Sequence, residues 1–151
     1  MATRKIILED NPLLRKKSKV VTVFDEKLWD LLDDMKETMR TNNGCGLAAP
    51  QIGILKRIVV VEVNGLYLEM INPEIISQKG NQCDVEGCLS VPNRSGYVNR
   101  PKLVAVRAYD RYGKEYAITG TDLLAVCLCH EIDHLDGILY IDKMVKEYKG
   151  K

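Results

Sequence analysis

Between residues 56 and 72 the chain reads KRIVVVEVNGLYLEMIN, two β-rich runs separated only by Asn64-Gly65. That dipeptide limits the fold sharply, because both central positions of a type I′ turn need positive φ, and Asn-Gly between β-formers is the strongest short-range signal for a hairpin. A second hairpin is predicted at LVAVRAYDRYGKEYAITG, residues 103–120, with its turn from Asp110 to Gly113. Helices flank this β region. In DEKLWDLLDDMKETMRTNNG, residues 25–44, Leu28, Leu31, Leu32, Met35 and Met39 fall at helical spacing, with Asp25 as N-cap and Asn-Asn-Gly as the stop. In TDLLAVCLCHEIDHLDG, residues 121–137, Thr121 is the expected N-cap, Asp122 suits the first turn and Gly137 follows the last. Helix, strands and helix in that order predict an α+β fold, mostly antiparallel, packed around the second helix.

Length and charge narrow what such a fold can do. A chain of 151 residues suits a single catalytic domain, residues 1–151, burying roughly two-thirds of its unfolded surface. No stretch is apolar for long enough to span a bilayer, and the start, MATRKIILEDNP, meets Glu9, Asp10 and Pro12 too soon to form a signal-peptide core. The expected location is cytoplasmic. Five cysteines, an odd number, then read as reduced thiols rather than a disulfide framework. A net charge of +1 gives no footprint for direct nucleic-acid readout, and the basic clusters at 15–19 and in KMVKEYKGK read as solvated surface.

The second helix holds the only two histidines, His130 and His134, four apart and therefore on one face. A metal ion fits between them, and Glu131, turned about 100° from His130, falls beside such an ion, as a general base does. Leu123, Val126 and Cys127 lie on the histidine side and turn it inward. HExxH fixes only three letters, so this helix alone leaves both a metal site and an ordinary helix open. Cys127 and Cys129, two apart, point to different faces.

A catalytic site of this kind takes three protein ligands. The third is either a downstream carboxylate or a cysteine. Cys88, in the loop-like stretch DVEGCLSVPNRSGY, is one candidate, although by itself it reads better as a buried cysteine in a strand. NNGCGLAAPQIG lacks the phosphate-loop and dinucleotide glycine patterns; its small residues permit close backbone approach, and Gln51 adds an amide donor that alone reads as a turn residue.

GCGLAAPQ at 44–51, EGCLS at 86–90 and HEIDH at 130–134 occur together and in order, and the set resembles the peptide deformylase family, covering most of the chain. The resemblance implies that Cys88, His130 and His134 bind one divalent metal ion, Fe2+ in the usual bacterial enzyme, with Zn2+, Ni2+ or Co2+ able to substitute. It implies hydrolysis of the N-formyl group from the initiator N-formylmethionine of new polypeptides, with release of formate. A metal-activated water attacks, Glu131 is general base and then acid, and the Gln51 side chain and Leu89 backbone N–H stabilise the oxyanion. Gly46 becomes a main-chain contact to substrate, and Cys45, Leu123, Val126 and Cys127 the wall of its methionine pocket. The implied partners are N-formylmethionyl nascent peptides, with transient ribosome association, no membrane, and a monomeric state.

Two departures stand out. Cys129 replaces a glutamine frequent in the family, which should alter packing and not the ligand set. The chain ends soon after GILYIDKM, so a further ribosome-docking helix is not expected, and the basic tail is left as its substitute. Two competing readings are a zincin-like metallopeptidase with Asp142 as third ligand and a catalytically silent deformylase-like binder of formylated peptides.

Overall fold

The structure is a computed structural model that describes residues 2–149. Its first long element is α1, Glu26–Thr41, capped as expected by the Asp25 carboxylate, which accepts a hydrogen bond from the Leu28 N–H. The five apolar residues at helical spacing, Leu28 to Met39, are all buried. A short strand β1, Gly46–Ala48, and a 3₁₀ turn, Ala49–Ile52, carry the chain into β2, Ile58–Val63, and β3, Leu66–Lys79. Asn64 and Gly65 take φ of 51° and 83°, so the type I′ expectation holds.

The remaining strands are β4, Gln82–Cys88, β5, Val91–Arg100, β6, Leu103–Tyr109, and β7, Glu115–Thr121. The helix α2, Asp122–His134, the short helix α3, Tyr140–Lys143, and β8, Met144–Glu147, complete the order. Every pairing between these named strands is antiparallel. One sheet runs β1-β2-β3-β6-β7 and the other β4-β5-β8, which gives the predicted α+β class.

Alternation along β2 explains how the large sheet is covered. Val59, Val61 and Val63 belong to the core shared with Ala125, Leu128 and Ile132 of α2, whereas Ile58 and Val60 join the core beneath α1. A strand buried on both faces needs a nearly unbroken apolar run, and IVVVEV supplies one. The small sheet closes a third core around Leu14, Val98, Leu139 and Tyr140.

The structure corrects three local expectations. DVEGCLSVPNRSGY is not a loop: Cys88 ends β4, and the chain returns as β5 after Leu89 and Ser90. The Thr121 hydroxyl makes no capping bond, because Thr121 is still paired with Leu103 in the sheet when the helix begins; Asp122 then takes a φ of 54° and pairs with Lys102 instead. Leu123 is 53% exposed. The first turn of α2 starts at the sheet's edge strand, and it is Leu124 that turns onto the sheet against Gly120. No helix among the described residues is long and apolar enough to cross a membrane. Part of the basic tail forms β8 against β5, while Gly150 and Lys151 lie outside the described residues.

Candidate metal centre and active site

His130 and His134 lie one turn apart on α2, their ring centroids separated by 5.1 Å. Cys88, delivered by the end of β4, brings its Sγ to 3.4 Å from His134 Nε2. One donor atom from each of Cys88, His130 and His134 lies within 4.8 Å of the other two. A soft thiolate and two imidazoles, closing from different elements and nearly buried, form a donor set suited to Zn2+ or Fe2+.

The tautomer of His130 is set from outside the cluster. Glu86 Oε1 lies 3.0 Å from His130 Nδ1, so the ring donates there and its Nε2 keeps a lone pair. Arg100 holds the same carboxylate through Nε and Nη2 at 2.8 and 2.9 Å and reaches Asp133 through Nη1 at 2.8 Å. Burial alone would raise the Glu86 carboxyl, but the Arg100 guanidinium and the His130 ring outweigh it and hold the group below its ordinary value.

A depressed carboxylate contributes stability above its unfolded pKa, 4.5 here, and that contribution disappears as pH falls through the lower native value. Glu86→Gln is therefore expected to flatten the acid limb of stability below about pH 4.5 and to weaken metal binding by about 10- to 100-fold, the usual cost of removing such a support. Urea unfolding across acid pH and competitive metal titration measure the two effects.

Glu131 follows His130 but turns into a different part of the cavity. Burial raises its carboxyl to about 7, and its Oε1 is buried with no hydrogen-bond partner. Room for this side chain comes from Gly46, where an added Cβ would sit 2.6 Å from Glu131 Oε2. Gln51, which reads as a turn residue by itself, is 1% exposed. The Ala48 N–H donates to its Oε1 at 3.0 Å, so its Nε2 faces Ser90 Oγ at 3.1 Å and Cys88 Sγ at 3.5 Å.

Gly46, Gln51, Cys88, His130 and Glu131 line a cavity of about 350 Å³ that also takes in Leu89, Cys45, Val126 and Cys127. Leu123, exposed on the first turn of α2, does not line it. Asp142 is elsewhere, accepting from the Leu139 N–H and paired with Arg15, and so is no third ligand for a zincin-like site. Cys129 is buried in the core between α2 and the large sheet, outside the donor cluster.

Glu86 and Arg100 had no expected role. A signal for Glu86 was available: it lies two residues before Cys88, and alternate residues of a strand share a face.

A family model described as polypeptide deformylase matches residues 3–150. The chain belongs to the peptide deformylase family. A peptide deformylase of Alkaliphilus metalliredigens is 58% identical over 147 residues, covering 97% of this chain and all of the relative. Among solved structures, a deformylase from Legionella pneumophila superposes with a TM-score of 0.92 at 46% identity, covering 95% of this chain and 86% of that one. One from Thermotoga maritima gives 0.93 at 36% identity, covering 95% and 99%. The chain is thus a metal-dependent hydrolase of the deformylase family, with its possible metal site at Cys88, His130 and His134.

Proposed function

We propose that this deformylase holds one divalent ion, natively Fe2+ with Zn2+, Ni2+ or Co2+ as replacements, through Cys88, His130 and His134, and removes the formyl group from N-formylmethionyl peptides. The observation that carries this reading is the convergence of those three donors beside the Glu131 carboxylate, whose buried Oε1 has no hydrogen-bond partner. When bound, the ion supplies Lewis acidity, lowering the pKa of water toward neutrality and polarising a carbonyl.

Glu131 then takes a proton from the attacking water and passes it to the departing amine nitrogen as the C–N bond breaks. Burial pushes this carboxyl up from its ordinary value, which favours its taking a proton, and its place beside the donor cluster lets it hand that proton on. As the formyl carbon becomes tetrahedral, charge grows on its oxygen, and the Gln51 amide with the Leu89 backbone N–H stabilises it. The fixed Gln51 amide, with Nε2 toward Cys88, supports that role. Gly46 contacts the substrate main chain, and Cys45, Val126 and Cys127 border its methionine side chain. Preference for formyl over acetyl would follow from size, since a hydrogen takes less room than a methyl beside the Cys88, His130 and His134 donors.

Anaerobically purified, metal-loaded protein should release formate from a short formyl-Met peptide and leave the acetyl-Met peptide intact. No formate from a fully loaded sample would sink this function. Gln51→Ala is expected to lower kcat by about 10²- to 10³-fold with metal content unchanged, the range seen when one oxyanion donor is lost; steady-state kinetics beside metal analysis check it. The protein is proposed to act in the cytoplasm as a single-domain monomer touching ribosomes transiently through its C-terminal lysines. Ribosome co-sedimentation unchanged in Lys146→Glu/Lys149→Glu would remove that contact.

A further inference from the structure

The wall of the same cavity holds two thiols that take no part in the proposed proton transfers, Cys127 lying three residues before His130 on α2. Cys45 Sγ and Cys127 Sγ are 2.8 Å apart although 82 residues separate them in the chain. A disulfide needs about 2.0 Å between sulfurs, so closing the bond requires a relative movement of only about 0.8 Å. The partners are unequal, since Cys45 is exposed and Cys127 is 3% exposed.

We propose that Cys45 and Cys127 are an oxidation site at which a low-molecular-weight disulfide converts the thiol pair reversibly into an intramolecular disulfide, lowering turnover by drawing β1 and α2 together. The consequence for turnover rests on the deformylase reading; the covalent step does not.

The exchange proceeds in two attacks. The Cys45 thiolate attacks one sulfur of R–S–S–R, forming Cys45–S–S–R and expelling RS⁻. The Cys127 thiolate then attacks Cys45 Sγ, forming the Cys45–Cys127 bond and expelling the second RS⁻. Two protein thiols lose two protons and two electrons, and one external disulfide becomes two thiols. The Cys127 thiol beside it lowers Cys45 to about 7, which suits the entering thiol. The upward push on Cys127 comes first from Cys45 itself, and it eases once Cys45 is held in the mixed disulfide. In a reducing compartment disulfides are rare and usually transient, and redox sensing is one of the uses they have there.

The coupling to turnover runs through Gly46. Its backbone already lies so close to Glu131 that no Cβ fits, and Gly46 follows Cys45 directly. Shortening the Cys45–Cys127 distance pulls this segment toward α2, which carries Glu131, and the carboxylate must shift.

The test treats metal-loaded protein with 2-hydroxyethyl disulfide, blocks free thiols, and maps the cross-linked peptides while following formate release and metal content. The expected result is a Cys45–Cys127 cross-link, metal retained, turnover reduced at least several-fold and restored by dithiothreitol. In Cys127→Ser the reagent should stop at a mixed disulfide on Cys45. That variant's loss, whatever its own starting rate, should fall mainly in KM, because the adduct on Cys45 crowds the methionine pocket, whereas the cross-linked parent should lose kcat as Glu131 shifts. Cross-links running through Cys88, or metal loss matching the activity loss in both proteins, would overturn the proposal. So would the absence of any Cys45–Cys127 cross-link while exposed Cys83 is fully modified. A reduced protein that never releases formate would instead count against the deformylase reading, with the peptide map still deciding the thiol pair.

Discussion

Glu131→Ala should bind metal as the parent protein does and turn over formyl-Met peptide about 10²- to 10⁴-fold more slowly, the range for losing a positioned general base. The loss belongs in kcat, because Glu131 acts on the proton in flight and not on the resting peptide. Stability should move the other way. A carboxyl raised from 4.5 to about 7 by burial contributes fully below pH 4.5, and that contribution is lost as pH rises through about 7. A shift of that size corresponds to about 3 kcal/mol in the metal-free protein. Apo Glu131→Gln should therefore unfold with a flatter pH profile between about 5 and 8 and be the more stable form at the upper end. Lower activity with higher stability is what a side chain kept for chemistry produces. Turnover near that of the parent would refute the assignment of the base.

Cys88→Ala is the second large effect. Removing the only thiolate from a three-donor set leaves two imidazoles, so the ion should be lost at micromolar free metal and formate release should fall to background. Inductively coupled plasma analysis after gel filtration gives the metal stoichiometry directly. Retained metal in Cys88→Ala would mean that another group completes the set. Asp142 is poorly suited, since Arg15 and the Leu139 N–H already occupy its carboxylate. Cys88→Asp keeps an anionic ligand and should recover part of the metal binding that alanine loses, which separates ligation from a simple packing defect.

Local chemistry explains which features were visible in the sequence. Asn64-Gly65 announced its turn because few dipeptides tolerate two positive φ angles, and α1 announced itself through spacing and the Asp25 cap. His130 and His134 were legible for the same reason, since a separation of four is already geometry on a helix. Glu86 and Arg100 were not, because their pairing spans 14 residues and each letter alone reads as surface charge. Leu123 misled because helical spacing gives the side of a helix but not how far the neighbouring sheet extends beneath it. Gln51 is a turn residue, as its pattern reads, with a local bond from the Ala48 N–H; its role as a buried donor comes from Ser90, 39 residues away. The β4–β5 hairpin hid behind Pro92 and its glycines, which resemble loop punctuation.

The donors come from two different pieces of the architecture. Cys88 rides on the three-stranded sheet, while both histidines ride on the helix packed against the five-stranded sheet. An ion gripped by all three rivets one half of the molecule to the other, and its binding energy adds to the resistance of that seam to opening. Chelation should then do more than silence the enzyme: amide protons along β4 and β5 should begin to exchange faster, with those of β2 still protected, so that wear at the reaction centre is felt first as a loosened joint.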